Sequence, residues 1–185
     1  KVKKLKEILE NKDILKILHS SRSDSTVLSN CLDKVNRMKT LYVDMDNVLV
    51  NFQSGIDALT EEQRESFKDD LDDVPGIFSK MIPVEGAIEA YKELTSHFDV
   101  YILSTAPWNN PSAWTDKLLW VQQYLGKLAY KRLILSHNKN LNDGDFLIDD
   151  RKANGADKFK GEHIHFLSEQ FKNWDDVLKY IVPKH

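Results

Sequence analysis

Five short apolar runs punctuate the chain after residue 39, and they constrain its fold more than any other feature. They are TLYVD (40–44), DVYILS (99–104), RLILS (132–136), FLIDD (146–150) and HIHFL (163–167), all rich in Val, Ile, Leu and aromatic residues. Helical segments lie between them, most clearly EGAIEAYKELTSH (85–97), PSAWTDKLLWVQQYL (111–125) and NWDDVLKYIV (173–182). Asn110 reads as the cap of the second, with Pro111 at its first helical position. Apolar runs alternating with amphipathic helices predict a parallel sheet covered on both faces. The fold class is therefore α/β, doubly wound, with ligands expected beyond the carboxyl ends of the strands.

Two segments stand outside this alternation. Leu5, Ile8, Leu9, Leu15 and Leu18 recur at helical spacing, so residues 2–19 predict an amphipathic helix. A turn at 20–26 and a second short helix through Arg37 complete an arm over residues 1–39. This arm carries no evident chemistry and reads as a packing or oligomerisation element, with a homodimer as one outcome. The second segment, residues 53–82, is polar, acidic and helix-prone, and predicts a small helical cap over the sheet's carboxyl edge. It divides a core of residues 40–52 and 83–185. Its run DDLDD (69–73) reads as a solvated face.

Bulk properties exclude several classes of function. A net charge of −3 gives no reason to expect a nucleic-acid polymer or a membrane as partner. No apolar run approaches the roughly 20 residues needed to span a bilayer. The basic N-terminal stretch is broken by Glu7, Glu10 and Asp13, unlike a secretory signal. Cys31 is the single cysteine, which fits a reducing cytoplasm.

Four of the strand ends carry polar residues of particular kinds. The first gives DMDNV, with Asp44 and Asp46; the second gives Ser104 and Thr105; Lys139 follows the third; Asp149 and Asp150 end the fourth. In a parallel sheet these ends share one edge. Clustered carboxylates repel unless a cation neutralises them, and all-oxygen ligation suits a hard ion such as Mg²⁺. Asp44 and Asp46, two apart, can point to one side, with Met45 turned into the core. One carboxylate can then attack an electrophile while the other handles protons. Thr105 can donate to a phosphoryl oxygen, and Lys139 can neutralise charge on the transferring group.

Other polar and aromatic residues invite plainer readings. Ser104 reads as a satisfied strand terminus and His137 as a loop residue. His163 and His165 alternate on a strand and look like sheet residues. Trp114 and Trp120, six apart, do not share one helical face, so at least one belongs to the core. Trp108, just after the second strand, is the best aromatic candidate for substrate contact. Arg151 either positions the acidic pair or pairs with a neighbouring carboxylate.

Taken in order, Asp44-Met45-Asp46-Asn47-Val48, Thr105, Lys139 and Asp149-Asp150 resemble the four motifs of the haloacid dehalogenase superfamily. LYVDMDNVLVNF, IPVEGAIEAYKEL, the STAP turn and LSHNKNLNDGDFLIDDR further resemble the 5′(3′)-deoxyribonucleotidases, enzymes that dephosphorylate deoxynucleoside monophosphates. The resemblance implies Asp44 as nucleophile and metal ligand. It implies Asp46 as acid and base, binding metal through its backbone carbonyl. Thr105 would bind phosphate, Lys139 would be the motif lysine, and Asp150 a direct Mg²⁺ ligand. Asp149 would act from behind the ligands, or as an alternative ligand. Phe52 would line a base pocket, with Ala106 and Trp108 on the substrate side. Three departures are visible. Asn47 stands where the family usually has Gly. The insertion is short and offers only Phe67 and Phe78 as aromatic residues. Ala106 replaces a hydroxyl, and Trp108 and Asn109 follow where a basic residue is common.

The implied activity is Mg²⁺-dependent hydrolysis of (deoxy)nucleoside 5′-monophosphates through an aspartyl phosphate. The same core could instead serve another small phosphorylated metabolite, such as a sugar phosphate, because specificity lies in the cap. A phosphate-accepting receiver domain uses similar residues, but there the acidic pair comes first, whereas here it comes last.

Overall fold

Leu41, Tyr42 and Val43 have no solvent-facing side, and they form the centre of the sheet. In the computed structural model, which describes residues 37–185, strand β1 spans Thr40–Val43. Two short strands follow, β2 (Val50–Asn51) and β3 (Ile82–Pro83), paired antiparallel to each other. Then come β4 (Asp99–Ser104), β5 (Leu133–Leu135), β6 (Phe146–Asp149) and β7 (Glu162–His165). The main sheet has the order β5-β4-β1-β6-β7, and every pairing is parallel. The helical arm predicted for residues 1–39 falls, except for its last three residues, outside the described part.

Side chains alternate across this sheet with a period of two. Leu41, Val43, Ile102 and Ile148 enter the larger core, and Tyr42, Leu103 and Leu147 pack with Ala156 and Phe159 on the opposite face. Full burial of one such side chain is worth roughly 1.5–3 kcal/mol. Packing from both sides therefore fixes the central strand's register. After β1 the chain builds β4 and β5 on one side, then crosses to build β6 and β7 on the other. That reversal places a crevice at the carboxyl end of β1.

Five α-helices are described. α1 (Phe52–Asp57) and α2 (Glu61–Ser66) belong to the segment between β2 and β3. α3 (Ala87–Thr95), α4 (Ser112–Tyr124) and α5 (Trp174–Ile181) lie between or after the main strands. The α3 residues Ala90, Tyr91 and Leu94, the α4 residues Trp120 and Val121, and the α5 residues Val177 and Ile181 all join the larger core. Reciprocal bonds between Thr60 and Gln63 cap α2. Asn173 caps α5 by accepting from Asp176 N. No helix among the described residues is long and apolar enough to cross a membrane.

The start of α4 differs from expectation. Pro111 takes the cap position itself, and no side chain caps the helix. Asn110 is fully buried, and its amide nitrogen donates to the carbonyls of Asp72 and Val74 at 2.8 and 2.9 Å. Two buried carbonyls of an irregular segment need a donor, and that demand outweighs capping. The same segment is tied down twice more: Gly76 N donates to Ser112 Oγ at 2.8 Å, and Trp120 Nε1 donates to Met81 O at 3.0 Å. Trp120 is thus a core residue, while Trp114 is partly exposed.

Gly161, just before β7, passes against backbone. A Cβ there would lie 2.5 Å from the carbonyl oxygens of both Gly144 and Asp145. Because those atoms belong to the chain entering β6, Gly161→Ala is expected to destabilise the fold by about 1–3 kcal/mol. A urea titration of the variant checks this, and an unchanged midpoint would contradict the packing described.

Candidate active site

The first strand ends in a tight loop that sets two acids side by side. The amides of Val48, Leu49 and Val50 all point to Met45 O, at 3.1, 2.8 and 2.8 Å. Met45 is buried in the core as its alternation with Asp44 and Asp46 predicts. The loop requires a left-handed residue, and Asn47 supplies it with φ 57°. Asparagine tolerates that region better than most residues. Asp44 and Asp46 are both buried.

Each acid is met by a specific partner. Lys139 lies in a 3₁₀ turn after β5 and is itself buried. Its Nζ stands 3.0 Å from Asp44 Oδ1 and 2.5 Å from Asp149 Oδ2. The other oxygen of Asp149 accepts from Arg151 N at 2.9 Å. Asp150 Oδ2 accepts from Asn47 Nδ2 at 3.0 Å, with Arg151 Nε 3.7 Å from Oδ1. Thus Arg151 serves both readings given to it: its backbone holds Asp149 and its side chain flanks Asp150. Behind the pair, His163 Nε2 donates to Asp149 O at 3.3 Å and His165 Nε2 to Asp150 O at 2.8 Å. The two histidines are more than sheet residues, because they fix the carbonyls of the acidic pair.

A further cation was hidden from sequence reasoning. Lys117 of α4 is 0% exposed, and its Nζ donates to both oxygens of Asp46 at 2.7 and 2.8 Å. It also reaches Ser104 Oγ at 3.1 Å and lies over the Phe78 ring, 4.4 Å from its centre. Ser104 is therefore a satisfied strand terminus that helps to seat Lys117. The available signal was one of spacing. Ala113, Lys117, Trp120 and Val121 fall on one helical stripe, and only Lys117 among them is charged.

Burial and the charge of Asp44 raise the pKa values of Asp46, Asp149 and Asp150. Burial lifts Asp149 to about 6, Asp44 adds to the effect, and Lys139 opposes it. Asp46 is raised by burial, against the pull of Lys117 and with help from Asp44. Asp150 is raised by burial, against the Asn47 hydrogen bond. Burial works against the charge of Lys139, yet Asp44 and Asp149 outweigh it and hold its pKa above the usual value. Asp44, Asp149 and Asp150 offer oxygens that all lie within 4.8 Å of one another. Asp150 Oδ1 is buried and has no hydrogen bond. A hard divalent cation fits this all-oxygen set, and it would relieve the repulsion that the pKa values record.

Beside the acids opens a cavity of about 500 Å³. Asp46, Asn47, Thr105, Ala106, Trp108 and Arg151 line it, with Phe52 and Ile56 of α1. Trp108 is 81% exposed and rests edge-on against His137, 5.7 Å between ring centres. His137 is held by donating to Ala106 O at 2.9 Å, so it shapes the cavity wall. Ala106 is fully buried, and its carbonyl is already engaged by His137. Thr105 donates its hydroxyl proton to Ser136 O at 2.8 Å. Neither Phe67 nor Phe78 lines the cavity; Phe78 is buried against Phe52. The acidic run does more than face bulk solvent, because Asp69, Asp70 and Asp72 line the cavity too. Its charge density gave no hint of this, since only the fold brings the run across from Thr105.

Two measurements test these electrostatics. Lys117→Met leaves Asp46 buried without its partner, and such losses cost about 3–5 kcal/mol. A urea titration should show a fall of that order at neutral pH, shrinking as the pH drops and Asp46 takes up a proton. For Asp149 the folded pKa of about 6 exceeds the ordinary 3.8. Its protonation therefore favours the folded state fully below about 4, and that contribution is lost as the pH rises through about 6. In metal-free protein, the stability difference between parent and Asp149→Asn is expected to vary across this window, and a flat difference would count against the assignment.

Known proteins bear on what this site does. Residues 57–182 match the family described as "5' nucleotidase, deoxy (Pyrimidine), cytosolic type C protein". A protein of Vibrio phage KVP40 named "Putative 5'(3')-deoxyribonucleotidase" is 57% identical over 145 residues, 78% of this chain and 85% of its own length. A protein of the same name from Bordetella pertussis is 30% identical over 175 residues, 75% of this chain and 94% of its own. Among solved structures, the HAD-hydrolase YfnB of Bacillus subtilis, determined with magnesium bound, aligns with a TM-score of 0.51 at 10% identity, covering 78% of this chain and 98% of that one. At that identity the likeness concerns the fold alone, and it is the fold that the motif order implied. With a relative this similar over most of the chain, the protein belongs to the 5′(3′)-deoxyribonucleotidase family and is a hydrolase with the haloacid dehalogenase fold.

Proposed function

We propose that the protein is a Mg²⁺-dependent phosphomonoesterase that hydrolyses (deoxy)nucleoside 5′-monophosphates through an aspartyl phosphate on Asp44. One observation carries this reading: buried Asp44, Asp46 and Lys139 converge with half-buried Asp150 beside a cavity of about 500 Å³ that has Phe52 and Trp108 in its walls. That volume falls within the usual range for small-molecule sites, and the paired acids and lysines supply the chemistry for a phosphate.

Asp44 Oδ attacks phosphorus, and the bond from phosphorus to the leaving ribose oxygen breaks. Asp46, protonated at this stage, gives its proton to that oxygen. Burial raises its pKa and so eases uptake of that proton, while Lys117 favours the charged form left after the transfer. In the second step Asp46 takes a proton from water as the water oxygen attacks phosphorus, and the bond to Asp44 breaks. Lys139, beside Asp44, stabilises charge on the transferring group. Thr105 contributes its hydroxyl after leaving the carbonyl of Ser136. The side chains of Asp44 and Asp150 and the backbone carbonyl of Asp46 would hold Mg²⁺. There the ion supplies Lewis-acid stabilisation of the phosphoryl oxygens. Asp149, with both oxygens engaged, positions Lys139. The base lies along Phe52, with Trp108 on the open side of the cavity. The single cysteine fits a cytoplasmic setting.

Phosphate release from a panel of deoxy- and ribonucleoside 5′- and 3′-monophosphates and sugar phosphates tests the proposal. Turnover of nucleoside 5′-monophosphates is expected with Mg²⁺ and should vanish with chelator. Asp44→Asn should reduce turnover to background while its melting temperature stays near that of the parent. Turnover confined to sugar phosphates would overturn the substrate class, and full activity of Asp44→Asn would overturn the mechanism.

A further inference from the structure

Asn47 does two things at once. Its backbone supplies the left-handed turn after Asp46, with φ 57°. Its side chain crosses from the β1 loop to the end of β6, where Nδ2 donates to Asp150 Oδ2 at 3.0 Å. The opposite oxygen, Asp150 Oδ1, is buried, has no hydrogen bond, and has Arg151 Nε only at 3.7 Å. The main chain of Asp150 is pinned as well, through the 2.8 Å bond from His165. The carboxylate is thereby held at both ends with one oxygen taken and one free. Asp149 differs, with Lys139 on one of its oxygens and Arg151 N on the other.

The consequence concerns which cation the site prefers. Ca²⁺ takes six to eight oxygens and often binds a carboxylate through both of its oxygens. Mg²⁺ demands six ligands at short distance and typically takes one oxygen per carboxylate, with water completing its shell. We infer that Asn47 is a positioning residue that, by holding Oδ2 of Asp150 in a hydrogen bond while Oδ1 stays unbonded, biases this carboxylate toward one-oxygen ligation and so favours Mg²⁺ over Ca²⁺. The inference rests on the reading of Asp44 and Asp150 as a divalent-cation site and adds to it the means of discrimination. Residues that orient a metal's ligands without touching the metal commonly set its affinity by 10–100-fold.

Two variants separate the side chain from the turn. Asn47→Gly keeps a left-handed backbone without strain and removes the amide donor. Asn47→Asp keeps the size and tolerates the same φ, but sets an acceptor against Oδ2 where the donor stood. Calorimetric titration of metal-free protein with MgCl₂ and with CaCl₂ gives both affinities without reference to turnover. For Asn47→Gly the Mg²⁺ affinity is expected to fall about 10–100-fold and the Ca²⁺ affinity by less. The ratio of Mg²⁺ to Ca²⁺ affinity should drop in both variants, while the metal-free melting temperature stays near the parent's. A ratio unchanged in either variant overturns the role of Asn47 and leaves the cation site standing. A parent protein that binds neither ion overturns the cation site itself, and the role of Asn47 with it.

Discussion

Four carboxylates lie together at the ends of β1 and β6, and the structure depends on the groups that make this tolerable. Removing a charge from water costs several kcal/mol, and a second like charge nearby adds to that. Two buried ammonium groups answer it. Lys139 bridges Asp44 and Asp149, and Lys117 takes both oxygens of Asp46. The anions come from the central strand and its β6 neighbour, while the cations come from α4 and the turn after β5. The charges therefore bind one half of the sheet's carboxyl edge to the other. The balance is incomplete, since the pKa values of Asp46, Asp149 and Asp150 stay raised even with these partners present. What remains is a surplus of negative charge, which a bound divalent cation would offset.

Much of this was legible from the chain itself, for a local reason. The strands announce themselves as short apolar runs, and side chains at their ends point where the sheet points them. Asp44, Asp46, Thr105, Lys139, Asp149 and Asp150 could accordingly be assigned to one edge before any coordinates. Lys117 was not legible, because a lysine in the middle of a helix reads as a solvated residue. Only the packing of α4 turns that position inward. Asn110 was misread for a related reason: next to Pro111 its amide suits a helix cap, but the carbonyls of Asp72 and Val74, 38 and 36 residues earlier in the chain, have the stronger claim. His163 and His165 alternate like any strand residues, and nothing local reveals that their rings face the carbonyls of Asp149 and Asp150.

The cavity is walled by the segment between β2 and β3, together with the turn after β4. Phe52 and Ile56 come from its first helix, and Asp69, Asp70 and Asp72 from its irregular part, so the cavity has an apolar wall and an acidic rim. Trp108 closes the other side, propped by His137. The clustered acids thus sit at strand ends, while loops and short helices supply much of the cavity's wall.

That segment is fastened to the core along its whole return path. Asn110 grips residues 72 and 74, Ser112 receives Gly76, and the Trp120 indole holds Met81. These attachments hold residues 72–81 at four points to α4 and the loop before it. The cavity's acidic rim is thereby anchored to the same helix that carries Lys117, so the wall facing the site and the cation behind Asp46 share one support.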